Sequence, residues 1–250
     1  MNPPLDRTVM WLTWRQLFAK HRIWFALVFA LAPLLFTLVF RLVADDGDTA
    51  RLDFFVTLNR QIIIGALLPL AAVVFGTTAF GGEVDDGTLV YLLVKPVQRW
   101  QIVLSKFVVA VASTVAVMIP AVFLPWIVLR VAGLPVRTPL AFLVAAFAGA
   151  AVYCALFLAL GLLTRRALVA GLVYVIGFES ILSRSLIGLK SFSVREMAVA
   201  IAQAASGGSI VIPEYVVPMS TVWWMGTFML VGATAWTLRK LIRYELAEQL

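Results

Sequence analysis

Phe80-Gly-Gly-Glu83-Val-Asp-Asp86-Gly87-Thr88-Leu89-Val-Tyr-Leu92-Leu93-Val-Lys95-Pro96-Val-Gln-Arg99-Trp-Gln-Ile-Val-Leu-Ser-Lys106 is a patterned polar interruption in an otherwise apolar chain. Asp85, Asp86 and Gly87 form a turn that can open a helix, with carboxylates at the positive end of its dipole. Residues 88–94 then give about two helical turns, with Leu89, Leu92 and Leu93 on one stripe. Lys95 precedes a proline, which disfavours the helical region there, so the short helix stops. Pro96 opens the next helix, at the position where a missing N–H is harmless. A short amphipathic helix slung between two long apolar ones suits docking into a groove on a soluble partner. The same residues could also lie as a plain loop on a bilayer surface.

Working outward, the 250 residues are 62% hydrophobic and only 13% charged, and the mean hydropathy is +1.00. Soluble domains hold about 45–50% apolar residues, so this composition calls for a membrane protein. The net charge of +7 is therefore read by the side of the membrane each cation occupies, not as a nucleic-acid signal. Cys154 is the only cysteine and His21 the only histidine. Intrachain disulfides, histidine-based zinc sites and serine–histidine proteolysis are excluded. No metal site or cofactor is expected.

Residues 5–22 are too polar to span. Met10, Trp11, Trp14, Leu17 and Phe18 share one helical face, with Thr13, Gln16 and Lys20 opposite, the pattern of a helix lying in the interface. Six apolar runs follow, at 23–43, 61–80, 102–129, 140–163, 167–186 and 221–238. Each is near the roughly 20 residues needed to cross about 30 Å of hydrocarbon. Pro33, Pro69, Pro120 and Pro125 fall inside three of them, which spans tolerate with kinks. With the N-terminus inside, 12 of the 20 lysines and arginines are cytoplasmic and 8 external, which favours two cytoplasmic termini. Thr164-Arg165-Arg166 is the cleanest single marker of a cytoplasmic turn.

The fourth run carries small residues in rows, Ala141, Ala145 and Gly149 on one and Ala151, Ala155 and Ala159 on another. Such rows let helices approach closely, whether within the chain or across two copies. Glu179 is the one carboxylate inside a run, about 18 Å in from Ala167 at 1.5 Å per residue. Such an acid must face protein or water. It reads either as a gating residue on a substrate path or as a hydrogen-bonding cap on a broken helix; Arg184, five residues on, has poor spacing to partner it. Ser193-Val-Arg-Glu196 is a capping box before an amphipathic run that ends at Ser206-Gly207-Gly208. Residues 187–219 thus read as external half-helices lying over the mouth between the fifth and sixth spans.

Glu83-x-x-x-Gly87-Thr88-Leu89-x-x-Leu92-Leu93-x-x-Pro96-Val97-x-Arg99, continued to Lys106, resembles the first cytoplasmic loop of permeases of the type-2 ATP-binding-cassette transporters. A second patch, Leu172-Val-Tyr-Val-Ile-Gly-Phe-Glu179-Ser-Ile-Leu with Phe192-Ser-Val-Arg-Glu196, resembles the same family's fifth span and following segment. The resemblance implies an all-α, six-span permease domain over residues 1–250, with an interfacial helix at 5–22 and a coupling loop at 82–96. It implies a bacterial inner-membrane protein whose loop rides on a cytosolic ATPase subunit, with a second permease copy or sister permease beside it. Glu83, Asp86, Gly87, Thr88, Leu89, Leu92, Leu93, Pro96 and Arg99 would carry the coupling, the leucines filling a groove and Glu83 and Arg99 meeting its rim.

No G-x-x-x-x-G-K-[ST] phosphate loop occurs, since Gly188-Leu-Lys190-Ser191 lacks the glycine beside the lysine, so ATP would be bound by the partner. An exporter is the expected activity. Two rivals stand beside it. One is a proton-coupled secondary carrier titrating Glu179, against which count the absence of a detectable repeat and of a second buried charge. The other is a non-transporting assembly factor, a role served by a branch of the family that matures copper enzymes. The scattered Met10, Met118, Met197, Met219, Met225 and Met229 give copper no cluster.

Overall fold

The computed structural model describes residues 10–14, 20–43, 47–85, 98–129, 136–164, 166–182, 191–208 and 217–248, and among them every regular element is helical. The proposed coupling residues Asp86, Gly87, Thr88, Leu89, Leu92, Leu93 and Pro96 lie outside the described residues. Helix α1 is Lys20–Val43. Helix α2 runs on through Asp48–Thr57, Leu58–Leu67 and Leu68–Asp85. Helix α3 is Arg99–Leu129 and α4 is Arg137–Leu163. Helix α5 joins Ala167–Val173 to Tyr174–Leu182, α6 is Val194–Ser206 and α7 is Met219–Glu248.

Among the described residues, four helices are long and apolar enough to cross a membrane, at Ala26–Val43, Asp48–Val84, Arg99–Leu129 and Arg137–Leu163. Helices α1 to α4 contain the first four expected runs. The expected fifth falls on a shorter apolar helix, Ala167–Glu179. The expected sixth falls within α7, which is 30 residues long but diluted by Gly226, Thr227, Gly232, Thr234 and Thr237. Helix α2 begins well before the expected residue 61. Its added turns include Asp48, Asp53 and Asn59, too polar to register as apolar, yet Phe54 stacks on Phe40 at 4.0 Å and Phe55 is fully buried.

Two stretches wind with wider turns, Leu58–Leu67 and Tyr174–Leu182. In the first, the Leu68 N–H reaches Ile63 O, five residues back. Pro69 follows directly and has no N–H to give, so the helix already departs from regular winding there.

Polar side chains on these helices close on their own backbone. Thr37 donates to Pro33 O at 2.7 Å, Asn59 to Phe55 O at 2.9 Å, Thr77 to Val73 O at 2.6 Å and Thr237 to Ala233 O at 2.8 Å. An apolar solvent offers no water to take these donors, so each returns to the carbonyl one turn back. Large apolar side chains instead face outward, as on α1 at Leu31, Leu35 and Leu42 and on α7 at Trp224 and Phe228.

Helix α4 is the hub, packed against α2, α3, α5, α6 and α7, while α1 packs mainly on α3. The small rows explain the closeness. Ala141, Ala145 and Gly149 are buried, and a Cβ at Gly149 would stand 2.8 Å from Leu68 Cδ2 and 3.4 Å from Ala198 Cβ. The partners of that row are this chain's own α2 and α6. At the other end of α4, a Cβ at Gly161 would come 2.8 Å from the Thr77 carbonyl oxygen. Backbone cannot yield as a flexible side chain does, so a larger residue must part the two helices.

Of the expected interfacial helix, residues 10–14 are described and helical. Trp11 and Trp14 are exposed and Met10 packs on the core, but Thr13, expected on the watery side, is buried.

Gly161→Val should therefore lower stability by roughly 1–3 kcal/mol through overpacking. The melting temperature of the detergent-solubilised protein would fall, whereas Gly232→Ala, with nothing within 4 Å of the new carbon, leaves it unchanged or raised. Equal melting temperatures for the two variants would show that α2 and α4 do not meet at Gly161.

Candidate functional site

Two polar centres stand inside the apolar bundle. The first lies where α2 ends and α3 begins. Glu83 sits in the last turn of α2, and Arg99, half-buried, opens α3. Lys106, two turns into α3, is fully buried and donates to Glu83 Oε1 at 2.7 Å and to the Ala79 carbonyl. Its ammonium also stands 4.8 Å from the Phe80 ring centroid. Glu83 therefore turns inward, in contact with α3, and only 12% of its side chain is exposed.

The second centre forms around Glu179, which is 1% exposed. Ser193 Oγ donates to its Oε2 at 2.5 Å, and the Val194 N–H donates to its Oε1 at 3.0 Å. Ser193 Oγ in turn accepts the Glu196 N–H at 3.3 Å, so the expected capping serine is in place. The first N–H groups of a helix have no partner within it, and here a carboxyl from another helix takes one of them. The Tyr153 hydroxyl faces the same carboxyl, and the Arg195 guanidinium adds a favourable charge interaction.

Arg195 reaches onward to α2, where its Nη2 donates to Gln61 Oε1 at 2.9 Å. Gly65 makes room for it, since a Cβ there would stand 3.0 Å from Arg195 Nε. The stacked pairs Tyr153–Phe157 and Tyr174–Phe178, joined edge to face by Phe157–Tyr174, carry the contact along α4 and α5. Both widely wound stretches end up at this centre, one contributing Gln61 and Gly65, the other Glu179.

Helix α6 then runs back antiparallel to α4. Ala198 lies over Gly149, and Arg137 Nε donates to Ala205 O at 3.1 Å. Gly207, at φ 65°, ends the helix in the left-handed conformation that glycine adopts freely. A Cβ there would meet the Arg137 guanidinium at 2.5 Å. Within residues 187–219, α6 packs lengthwise against α4. Its N-terminus is drawn inward to the Glu179 carboxyl.

The reading from sequence undercounted the buried charge. It found no second buried ionisable group and none near Glu179, but Lys106 and Arg195 are both buried, and Arg195 with Tyr153 stands beside the carboxyl. On sequence alone Arg195 counts among the external cations, yet its side chain is buried between Gln61 and Glu179. Its signal was the capping box itself, which fixes the residue after Val194 on the first turn. Gln61 and Tyr153 gave no signal. Among the described residues, no group of three or more His, Cys, Asp or Glu could hold a metal ion.

Replacing Glu179 by Ala leaves Ser193 Oγ and Val194 N–H without their acceptor and should cost roughly 1–3 kcal/mol. Glu179→Gln keeps an acceptor oxygen and should melt close to the parent. Thermal unfolding in detergent compares the two. A glutamine variant as destabilised as the alanine variant would show that the charge, rather than the hydrogen bonds, holds α6.

The sequence profile of the family described as ABC-2 family transporter protein matches residues 23–183, nearly two thirds of the chain, ending one residue past the second centre's α5 segment. No curated protein matches the chain. A permease of that family is a membrane component that works with an ATP-binding cassette subunit. The long apolar helices, the polar side chains that return to their own backbone and the profile agree: the chain belongs to the ABC-2 transporter family, as a multi-pass membrane permease component of an ABC transporter.

Proposed function

We propose that this permease is the membrane half of an exporter in a bacterial cytoplasmic membrane. It spans six times with both termini cytoplasmic, and α5 and α7 supply the fifth and sixth crossings. Two copies, or this chain and a sister permease, stand over two ATPase subunits that bind and hydrolyse ATP. Closure of the ATPases pushes on the connection between α2 and α3. There Leu89, Leu92 and Leu93 fill a groove of the ATPase, with Asp86, Gly87, Thr88 and Pro96 setting the short helix and Arg99 at its rim.

The observation that carries this reading is the setting of that connection. It hangs between two helices long enough to cross the bilayer, and Glu83 and Arg99 flank it. A displacement of the connection therefore acts on both helices, and through α2 on the hub α4. Glu179 belongs in this account as a cap on α6: its carboxyl oxygens already accept from Ser193 and Val194, which speaks against a proton carrier titrating there.

Leu92→Asp tests it. Losing one well-seated leucine removes about 2 kcal/mol, some thirtyfold in affinity, before the buried charge is counted. Co-purification of the ATPase subunit should fall at least tenfold while the variant inserts into membranes normally. Retention of the ATPase at the parent's yield would reduce the connection to a surface loop.

A further inference from the structure

Lys106 asks for an explanation that the coupling loop alone does not give. Lysines near the end of a membrane helix normally extend along it and put the ammonium in the interface. Lys106 does the opposite: it is 0% exposed and crosses to α2. All its recorded partners lie within about one turn of that helix, namely the Ala79 carbonyl, the Phe80 ring and the Glu83 carboxylate. Apolar contacts already join the helices here, since Phe80 and Ile102 are fully buried and Val84 packs on the same core. The charge pair is therefore not needed for adhesion, and buried pairs seldom add much stability over apolar packing.

What the pair adds is register. Apolar surfaces can slide or rotate against each other with little loss, because one methyl replaces another. A buried ammonium cannot move by even one residue without losing a carboxylate at 2.7 Å and a backbone acceptor together. Three features on α2, at positions 79, 80 and 83, converge on one atom of α3, which fixes both the height and the rotation of the two helices.

We propose that Lys106 is a positioning residue that locks the connection ends of α2 and α3 together, so that a push on their connection moves both helices as one lever. The lever rests on the coupling role proposed above; the lock does not. Without the lock, a push on the connection would bend or twist one helix against the other before it reached α4.

Two measurements test the lock and the lever separately. For the lock, spin labels are placed at Gly82→Cys, where a side chain meets nothing within 4 Å, and at the exposed Leu104→Cys, in a Cys154→Ala permease in lipid nanodiscs. Pulsed electron resonance should give a narrow distance distribution. The double variant Glu83→Gln/Lys106→Met, which removes both charges and so strands neither, should at least double its width. Lys106→Arg, still able to donate to both acceptors, should keep it narrow. A double variant as narrow as the parent overturns the lock.

For the lever, the permease–ATPase complex carries labels at the opposite helix ends, Leu140→Cys on α4 and Met219→Cys on α7, both exposed. Vanadate trapping after ATP hydrolysis should shift their distance in the parent, and Lys106→Met should reduce that shift at least fivefold per ATP hydrolysed. An undiminished shift overturns the lever. Failure of the parent permease to bind any ATPase would sink the coupling role and the lever with it, while the first experiment still decides the lock.

Discussion

A helix that begins inside an apolar bundle has N–H groups that no water can take, and in this chain the Glu179 carboxyl takes one of them. That contact fixes more than a helix end. It draws the start of α6 inward, sets α6 antiparallel against α4, and brings Arg195 to Gln61 on α2. Four helices thereby meet at one polar centre. The two widely wound stretches are the places where the backbone yields to let them do so. Wider turns of this kind commonly mark places where a helix departs from regular packing for a purpose.

The same constraint accounts for many of the other polar contacts. Threonines and serines fold back on carbonyls one turn away, Lys106 finds Glu83 and a carbonyl, and Arg137 finds the end of α6. Close helix approach does the remaining work. Glycines at positions 149 and 161 allow α4 to touch α2 at distances that leave no room for another carbon.

Much of this was legible in the residues. Apolar runs of membrane length marked the four long helices, and the row of Ala141, Ala145 and Gly149 marked the close face of α4. Ser193 with Glu196 marked the start of α6. What could not be read was the destination of single polar groups. Arg195 and Lys106 carry full charges, and a charge in a sequence reads as solvated unless its partner is near in sequence; their partners are far along the chain, Gln61 and Glu83. The early start of α2 was hidden for a related reason, because Asp48, Asp53 and Asn59 lower the apolar signal of turns whose other face is the buried Phe55. From sequence, α6 reads as an amphipathic half-helix over an external mouth, a pattern that suits a groove in a bundle equally well. The carboxyl of Glu179, on α5, draws the start of α6 into the bundle.

Family membership makes the chain a permease component of an ABC transporter, and under the proposed coupling role the placement of Glu83, Lys106 and Arg99 would give work done outside the membrane a physical route into the bundle. The central claim is that the connection between α2 and α3 meets the ATPase. A photo-crosslinking amino acid at position 98, exposed just before α3, tests this directly in intact cells, with one at the exposed position 208 as its counterpart. The account predicts a crosslink to an ATP-binding cassette subunit from position 98 and none from position 208. Capture from 208, or from neither position in a complex that still hydrolyses ATP, would contradict it.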